Sequence, residues 1–194
     1  MPIVVAILLL FALPAAAADV AWVAGIRGAP TATSGETVRP LRRGDAIAVG
    51  DRITTDAASR IKLLLADDSV LSIGSGTEVV IDELVRGEQR RGRLRVLAGR
   101  FKLAVAAWFA GPSDYQVELP TAVAGVRGTV LWGDTQLDAV CALQGSVAVQ
   151  TRRGSADAAL SAGQCVTGMA DGKTTPLTPS REQLARYLAA VSLE

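Results

Sequence analysis

Histidine does not occur anywhere in the 194 residues. That absence excludes a Ser-His-Asp triad, a histidine general acid or base, and every histidine metal ligand. Cysteine occurs twice, at Cys141 and Cys165, too few for a cysteine-rich zinc site. Aromatic residues make up 4% of the chain and do not interleave with its basic stretch, which removes the stacking platform that single-stranded nucleic acid needs. Neither sign of charge is in excess. Twenty Lys and Arg oppose 19 Asp and Glu, net +1, which gives no global attraction to nucleic acid or to an acidic partner. Beyond residue 18 no apolar run reaches the ~20 residues of a membrane-spanning helix. What is present is a chain that is 49% hydrophobic with 19 glycines, long enough for one domain with a full core. That mixture suits an all-β protein of many short strands and tight turns. No cofactor is indicated.

The amino terminus has a different character. Residues 3–13, IVVAILLLFAL, are apolar throughout, and Pro14 and then AAAAD follow. An h-region, a breaker and a small-residue motif at Ala16 and Ala18 predict a signal peptide over residues 1–18, cut before Asp19. Its n-region has no Lys or Arg, so only the α-amino group supplies positive charge. The alternative is a membrane anchor that is never cleaved. Export makes the protein periplasmic or secreted. In that oxidising setting the lone cysteine pair is expected as a Cys141–Cys165 disulfide, with two buried thiols as the alternative.

From residue 19 to 176 the pattern is strand and turn. AWVAGIRG (21–28) reads as a first strand closed by glycine, and Gly44-Asp45 and Gly50-Asp51 mark turns. In RIKLLLADDSVLSI (60–73), Ile61, Leu63 and Leu65 alternate with Lys62 and Leu64. Asp67-Asp68 turns the chain, and Leu71 and Ile73 return as a hairpin. GSG (74–76) turns again, and Val79 and Ile81 face inward. GRLRVLAGRFKLAV (92–105) follows the same logic about an Ala98-Gly99 turn. Leu94, Val96, Phe101, Leu103 and Val105 take one face, and Arg93, Arg95, Arg100 and Lys102 the other. DYQVELP (114–120) and GTVLWGD (128–134) read as strands. DAVCALQGSVAVQT (138–151) reads as a hairpin around Gln144-Gly145, and AALSAGQCVTG (158–168) as one more short pair. Glycine-punctuated units of this kind predict a curled or stacked, solenoid-like sheet of short strands. A β-sandwich is the alternative, because no strict sequence period is present. Residues 177–194 differ. Ser180 with Gln183 fits a capping box, and Leu184, Leu188 and Val191, with Tyr187 beside them, mark one helical face. The expectation is an amphipathic helix that packs on the β-domain or closes its open end, with partner docking as the alternative.

The order of these segments resembles the FecR domain, a β-rich module of bacterial envelope proteins. RRGDAIAVGDRITTDAASRIKLLLADDSVLSIGSGTEVVID (42–82) is similar to the family's Gly-Asp turns, its polar-tipped hairpin and its G-x-G-[ST]-E turn. GRLRVLAGRFKLAV resembles its next hairpin, and VELPTAVAGVRGTVL (117–131) resembles its signature TPTAVAGVRGT-x-F. Asp68 stands where the family favours glycine and Leu119 where it favours threonine. Aspartate tolerates turn conformations, and leucine still suits a strand. The resemblance implies a FecR-like β-domain over residues 19–176, followed by a helix over 177–194. The family's iron-uptake regulators carry a cytoplasmic anti-sigma segment and a transmembrane helix before this domain and a further subdomain after it. The sequence matches none of these, so the resemblance implies a stand-alone exported FecR domain without iron signalling.

Within the signature, Gly125 and Gly128 are expected to permit backbone geometry or close approach that a Cβ would block. Val126 and Thr129 suit strand positions. Arg127, with five donors, is expected to tie adjacent turns together, with an anion or carboxylate ligand as the alternative. GIRG at 25–28 repeats the local pattern. Residues 86–102 hold Arg86, Arg90, Arg91, Arg93, Arg95, Arg100 and Lys102 against one acid, Glu88. This is either a solvated face that resists edge pairing or a surface through which Arg93, Arg95, Arg100 and Lys102 meet an anionic envelope partner: a glycan, a lipid headgroup or an acidic protein. Asp45, Asp51, Asp56, Asp67, Asp68 and Asp82 lack the spacing of a calcium loop and belong to turns. The function expected of the whole is a non-catalytic exported β-domain that binds or scaffolds a partner in the bacterial envelope, peripheral to the membrane at most. The rivals are a signalling module anchored through residues 3–18 and an enzyme acting on cell-wall glycans, for which no carboxylate pair is in place.

Overall fold

A computed structural model describes residues 18–86, 90–106, 113–154 and 156–193, with only the backbone given for Arg90, Ser113 and Arg127. The expected signal segment up to residue 17, and Glu88, lie outside the described residues. Alternating apolar and polar side chains build sixteen strands: β1 (Asp19–Arg27), β2 (Thr31–Ser34), β3 (Thr37–Pro40), β4 (Ala46–Ala48), β5 (Arg52–Thr54), β6 (Arg60–Leu65), β7 (Val70–Ile73), β8 (Glu78–Val85), β9 (Arg90–Ala98), β10 (Arg100–Ala104), β11 (Ser113–Glu118), β12 (Ala122–Asp134), β13 (Ala139–Thr151), β14 (Asp157–Ser161), β15 (Gln164–Thr167) and β16 (Thr175–Leu177). Among the described residues the one α-helix, α1 (Arg181–Ala189), lies near the C-terminus, so the all-β class with a C-terminal helix is what forms. Ser180 and Gln183 make the reciprocal capping box, which satisfies two amide donors at its start.

The strands form one mixed, open sheet. Its path runs β3-β2-β5-β8-β9-β11-β12-β10-β7-β6-β1-β4, and β13 branches from β12 to carry β14, β15 and β16. The pairs are antiparallel except β9 with β11. One face lines a single core that contains Ala32 near one end of the path and Ile47 at the other, so the sheet curls around that core. The two ends meet at a seam. Arg39 of β3 donates to the carbonyl of Ala46 in β4 at 2.7 Å and to Asp51 Oδ2 at 2.9 Å, and buried Asp51 also accepts from the Ala48 amide at 3.2 Å.

Three expected strand pairs are replaced by other pairings, and the short pair expected over 158–168 is one of them, since β14 and β15 each pair with β13 and not with each other. β9 pairs with β8 and β11, whereas β10 pairs with β7 and β12, so the Ala98-Gly99 turn joins distant parts of the sheet. Gly99 has φ +90°, and the turn is pinned by Thr77, whose hydroxyl accepts from the Arg100 amide at 3.0 Å. Residues 139–151 form one continuous strand rather than a hairpin, because the left-handed glycine at 145 serves a bulge. The Asp67-Asp68 hairpin does form. Its tip is locked inside the protein: the Tyr115 hydroxyl and the Ser69 hydroxyl both donate to buried Asp67, and the Ala106 amide donates to Ser69 Oγ at 3.1 Å.

Candidate interaction surface

The signature segment lies in β12, alongside β13. Pairing runs without a break from Ala122↔Thr151 to Arg127↔Ser146, then slips before resuming at Val130↔Gln144. Gly128 (φ +53°) and Gly145 (φ +69°) sit at the slip, and a Cβ on Gly145 would fall 2.6 Å from Thr129 Oγ1. Both strands change neighbours there. β12 leaves β11, its partner up to Val126, and takes β10 from Val130 onward. β13 passes from β15 to β14. The motif is therefore a bulged corner that turns a long two-stranded ribbon from one part of the sheet to another. Thr129 is buried in the corner, and its carbonyl accepts from the Val105 amide at 3.0 Å. Gly125 differs from the expectation: a Cβ there would meet only the Ala148 carbonyl, at an ordinary 3.8 Å. The Arg127 side chain lies outside the described residues.

The C-terminal segment packs on the outer face of this sheet. Tyr187 stacks on Trp132 with ring centroids 4.2 Å apart and an interplanar angle of 9°, and Trp132 Nε1 donates to the Tyr187 carbonyl at 3.1 Å. Val191 is buried with Trp132, Ala139, Cys141 and Cys165 in a small second cluster. Cys141 of β13 and Cys165 of β15 face each other in register and are joined as a disulfide, Cα atoms 3.9 Å apart. Past the helix the tail crosses strand after strand. The Ala190 carbonyl lies 2.8 Å from where a Cβ on Gly74 would be, Arg60 donates to the Ser192 carbonyl at 2.9 Å, and Leu193 sits over Gly25. Gly25 of GIRG is thus a seat for the tail, a role that only the fold reveals.

The four singled-out cations point outward but do not make one stripe, because β9 and β10 are not neighbours. Arg95 is gripped by both oxygens of Asp82, at 2.5 and 2.6 Å, and this pairing raises its pKa above the usual arginine value. Arg93 stands between Glu83 and Glu118, at 4.0 and 3.9 Å, and Arg100 is 3.5 Å from Asp134. Lys102 lies in register between Ser72 and Trp132 and has no ion pair among the described residues. The Asp56 carboxyl is held below its ordinary pKa by the Ser59 side chain and then by the Ala58 amide, as a turn residue should be. Two hollows flank the Leu119-Pro120 turn, of about 460 and 370 Å³, and share Pro120 and Arg152. Arg152 is already committed there, donating to the Leu119 carbonyl at 2.8 Å and to Glu118 at 2.9 Å. Among the described residues no group of three or more acids and cysteines could hold a metal ion, and no helix is long and apolar enough to cross a membrane.

A family profile described as FecR protein matches residues 51–157. The chain belongs to the FecR family. The FecR match includes the bulged corner, all four outward cations and Cys141, while Cys165 and α1 lie beyond it. No curated protein matches the sequence. Two crystal structures of a candidate anti-sigma factor from Parabacteroides distasonis ATCC 8503 are similar, with TM-scores of 0.56 and 0.55 and 16% identity each. The alignments cover 71% of this chain and 64% and 63% of those chains, so this chain spans less than two thirds of their length. At that identity the likeness is one of fold.

Proposed function

We propose that the protein is a non-catalytic FecR-type module that acts in the bacterial cell envelope by binding or scaffolding a protein partner. The observation that carries this reading is FecR membership over residues 51–157 together with a disulfide that ties the matched segment to Cys165 beyond it. Disulfides persist where the surroundings are oxidising. The fold likeness to candidate anti-sigma factors supports a regulatory role played through protein contacts. Residues 1–18 act as a cleaved signal peptide, 19–176 as the β-domain and 177–194 as its C-terminal closure. Arg127 is structural. An anionic partner at Arg93 and Arg95 has to displace Asp82, Glu83 and Glu118, whereas Lys102 is available without such an exchange.

The test is the processed chain itself, recovered from cell fractions after in-cell cross-linking. A mass that starts at Asp19, no free thiol and a cross-linked envelope protein are expected. A cytoplasmic chain with two free thiols refutes the reading. A disulfide-bonded chain that keeps residues 1–18 supports the second reading, a membrane-anchored signalling module, which the apolar run 3–13 and the anti-sigma likeness favour.

A further inference from the structure

Outward-facing residues of adjacent strands line up in register across one part of the sheet. Ala46 of β4 pairs with Trp22 of β1, Trp22 with Leu64 of β6, Leu64 with Val70 of β7, Val70 with Ala104 of β10, and Ala104 with Val130 of β12. Their sequence neighbours Ala21, Leu63, Leu65, Leu71, Leu103 and Leu131 are buried in the core, so the row itself faces out. Trp22 and Leu64, side by side, are each 41% exposed. The next row is bordered by Lys62 and Lys102, neither of them ion-paired among the described residues. The C-terminal tail covers that second row only in part and leaves the Trp22–Leu64 pair open.

This patch lies close to where the chain enters the domain. The Ala18 carbonyl is fixed by the Val49 amide at 3.1 Å, and Trp22 follows a few residues later. Residues 14–18 reach at most about 18 Å when extended. Whenever residues 3–13 occupy a bilayer, the Trp22 end of the sheet is therefore held next to it.

We propose that Trp22 and Leu64, flanked by Lys62 and Lys102, form a contact site for the surface of a phospholipid bilayer, which keeps the processed domain at the membrane. An indole places its apolar body among acyl chains and its N–H at headgroup level. Leu64 adds apolar area, and the lysines lay their stems over the patch and reach phosphates. Sheet twist of about 20–25° per strand carries Ala104 and Val130 away from a flat surface, so the contact centres on Trp22 and Leu64. Asp19 and exposed Asp68 border the opposite side, which keeps the electrostatic share small and makes apolar insertion the main term. The inference rests on export of the chain but not on the identity of a protein partner.

The core begins at Val20, so the chain from Asp19 onward contains the whole folding unit and is the material to test. Flotation with vesicles of phosphatidylethanolamine and phosphatidylglycerol in equal parts should carry the parent protein. Leu64→Gln should weaken binding about tenfold while the melting curve stays parental. Trp22→Phe should keep most of the binding but lose the quenching of tryptophan fluorescence that brominated acyl chains cause in the parent. The proposal is overturned by a parent that does not float, by binding that Leu64→Gln leaves unchanged, or by quenching that survives Trp22→Phe. Failure here with a chain processed at Asp19 leaves the proposed function standing. A cytoplasmic chain removes that function whatever the vesicles show.

Discussion

Arg39 and Asp51 close the seam of an open sheet, and Asp51→Ala removes their contact. Two donors then lose their acceptor: the Arg39 guanidinium, at 2.9 Å, and the Ala48 amide, at 3.2 Å. Asp51 is 3% exposed in its side chain and Arg39 is 35% exposed, so the pair is intermediate between buried and solvated. Breaking a buried pair at one end costs about 3–5 kcal/mol, and an exposed pair contributes about 0–1 kcal/mol. Water replaces part of what Arg39 loses, which sets the expected destabilisation at about 2 kcal/mol. Arg39→Ala should cost at least as much, since it also deprives the Ala46 carbonyl of a donor and leaves the Asp51 carboxylate buried beside a single amide. The decisive number is the coupling in a double-mutant cycle, expected at about 1–2 kcal/mol. Urea denaturation of the parent, both single variants and the double variant measures it, provided the m-values agree. Additive losses would refute the clasp and leave the backbone between residues 41 and 51 as what holds the ends together.

Removing the disulfide by Cys141→Ser with Cys165→Ser should cost about 3.5 kcal/mol in the chain-entropy account, from a loop with a sequence separation of 24. An unchanged denaturation midpoint would contradict it. Gly92 lies against the Tyr115 ring, and a Cβ there would come within 2.3 Å of that ring. Because Tyr115 is fully buried and bonded to Asp67, the ring cannot swing aside, and Gly92→Ala should destabilise by about 2 kcal/mol or more. Gly125→Ala, with 3.8 Å of room, is the matched control and should stay within about 1 kcal/mol of the parent. Equal melting shifts for the two glycine variants would sink the steric argument.

Short-range features were legible in the sequence and long-range ones were not. The alternation of Ile61, Leu63 and Leu65 with Lys62 and Leu64 encodes a half-buried strand whatever lies beside it, and Asp67-Asp68 encodes its turn. The neighbours of β9 and β10 are another matter. A tight Ala98-Gly99 turn serves a hairpin and a crossover equally well, and the residue that pins the crossover, Thr77, lies more than 20 residues earlier. Gln144-Gly145 shows the same ambiguity, since a left-handed glycine fits a hairpin turn and a bulge alike. The outward direction of Arg93, Arg95, Arg100 and Lys102 followed from periodicity. Their partners Asp82, Glu83, Glu118 and Asp134 arrive from other strands, so three of these four charges, which read as free in the sequence, are paired in the fold. The seats for the tail at Gly25 and Gly74 had no local signal. A glycine in a strand reports close approach without saying what approaches.

The location of the disulfide has a kinetic consequence. Reduction requires a thiolate to reach one of the sulfurs. Cys141 and Cys165 are each 1% exposed, beneath Val191 and Tyr187 of the C-terminal segment. A reductant in solution must wait for that segment to lift, so where attack outpaces reclosing the rate of cleavage measures how often residues 181–193 leave the sheet, and where reclosing is faster it follows the open population and the concentration of thiolate. Formation faces no such gate. The segment that covers the two sulfurs follows both of them in the chain, so an oxidant that meets the chain before residues 181–193 dock can reach the thiols while the surface above them is still bare. The bond is open to chemistry on the way in and shielded from it afterwards.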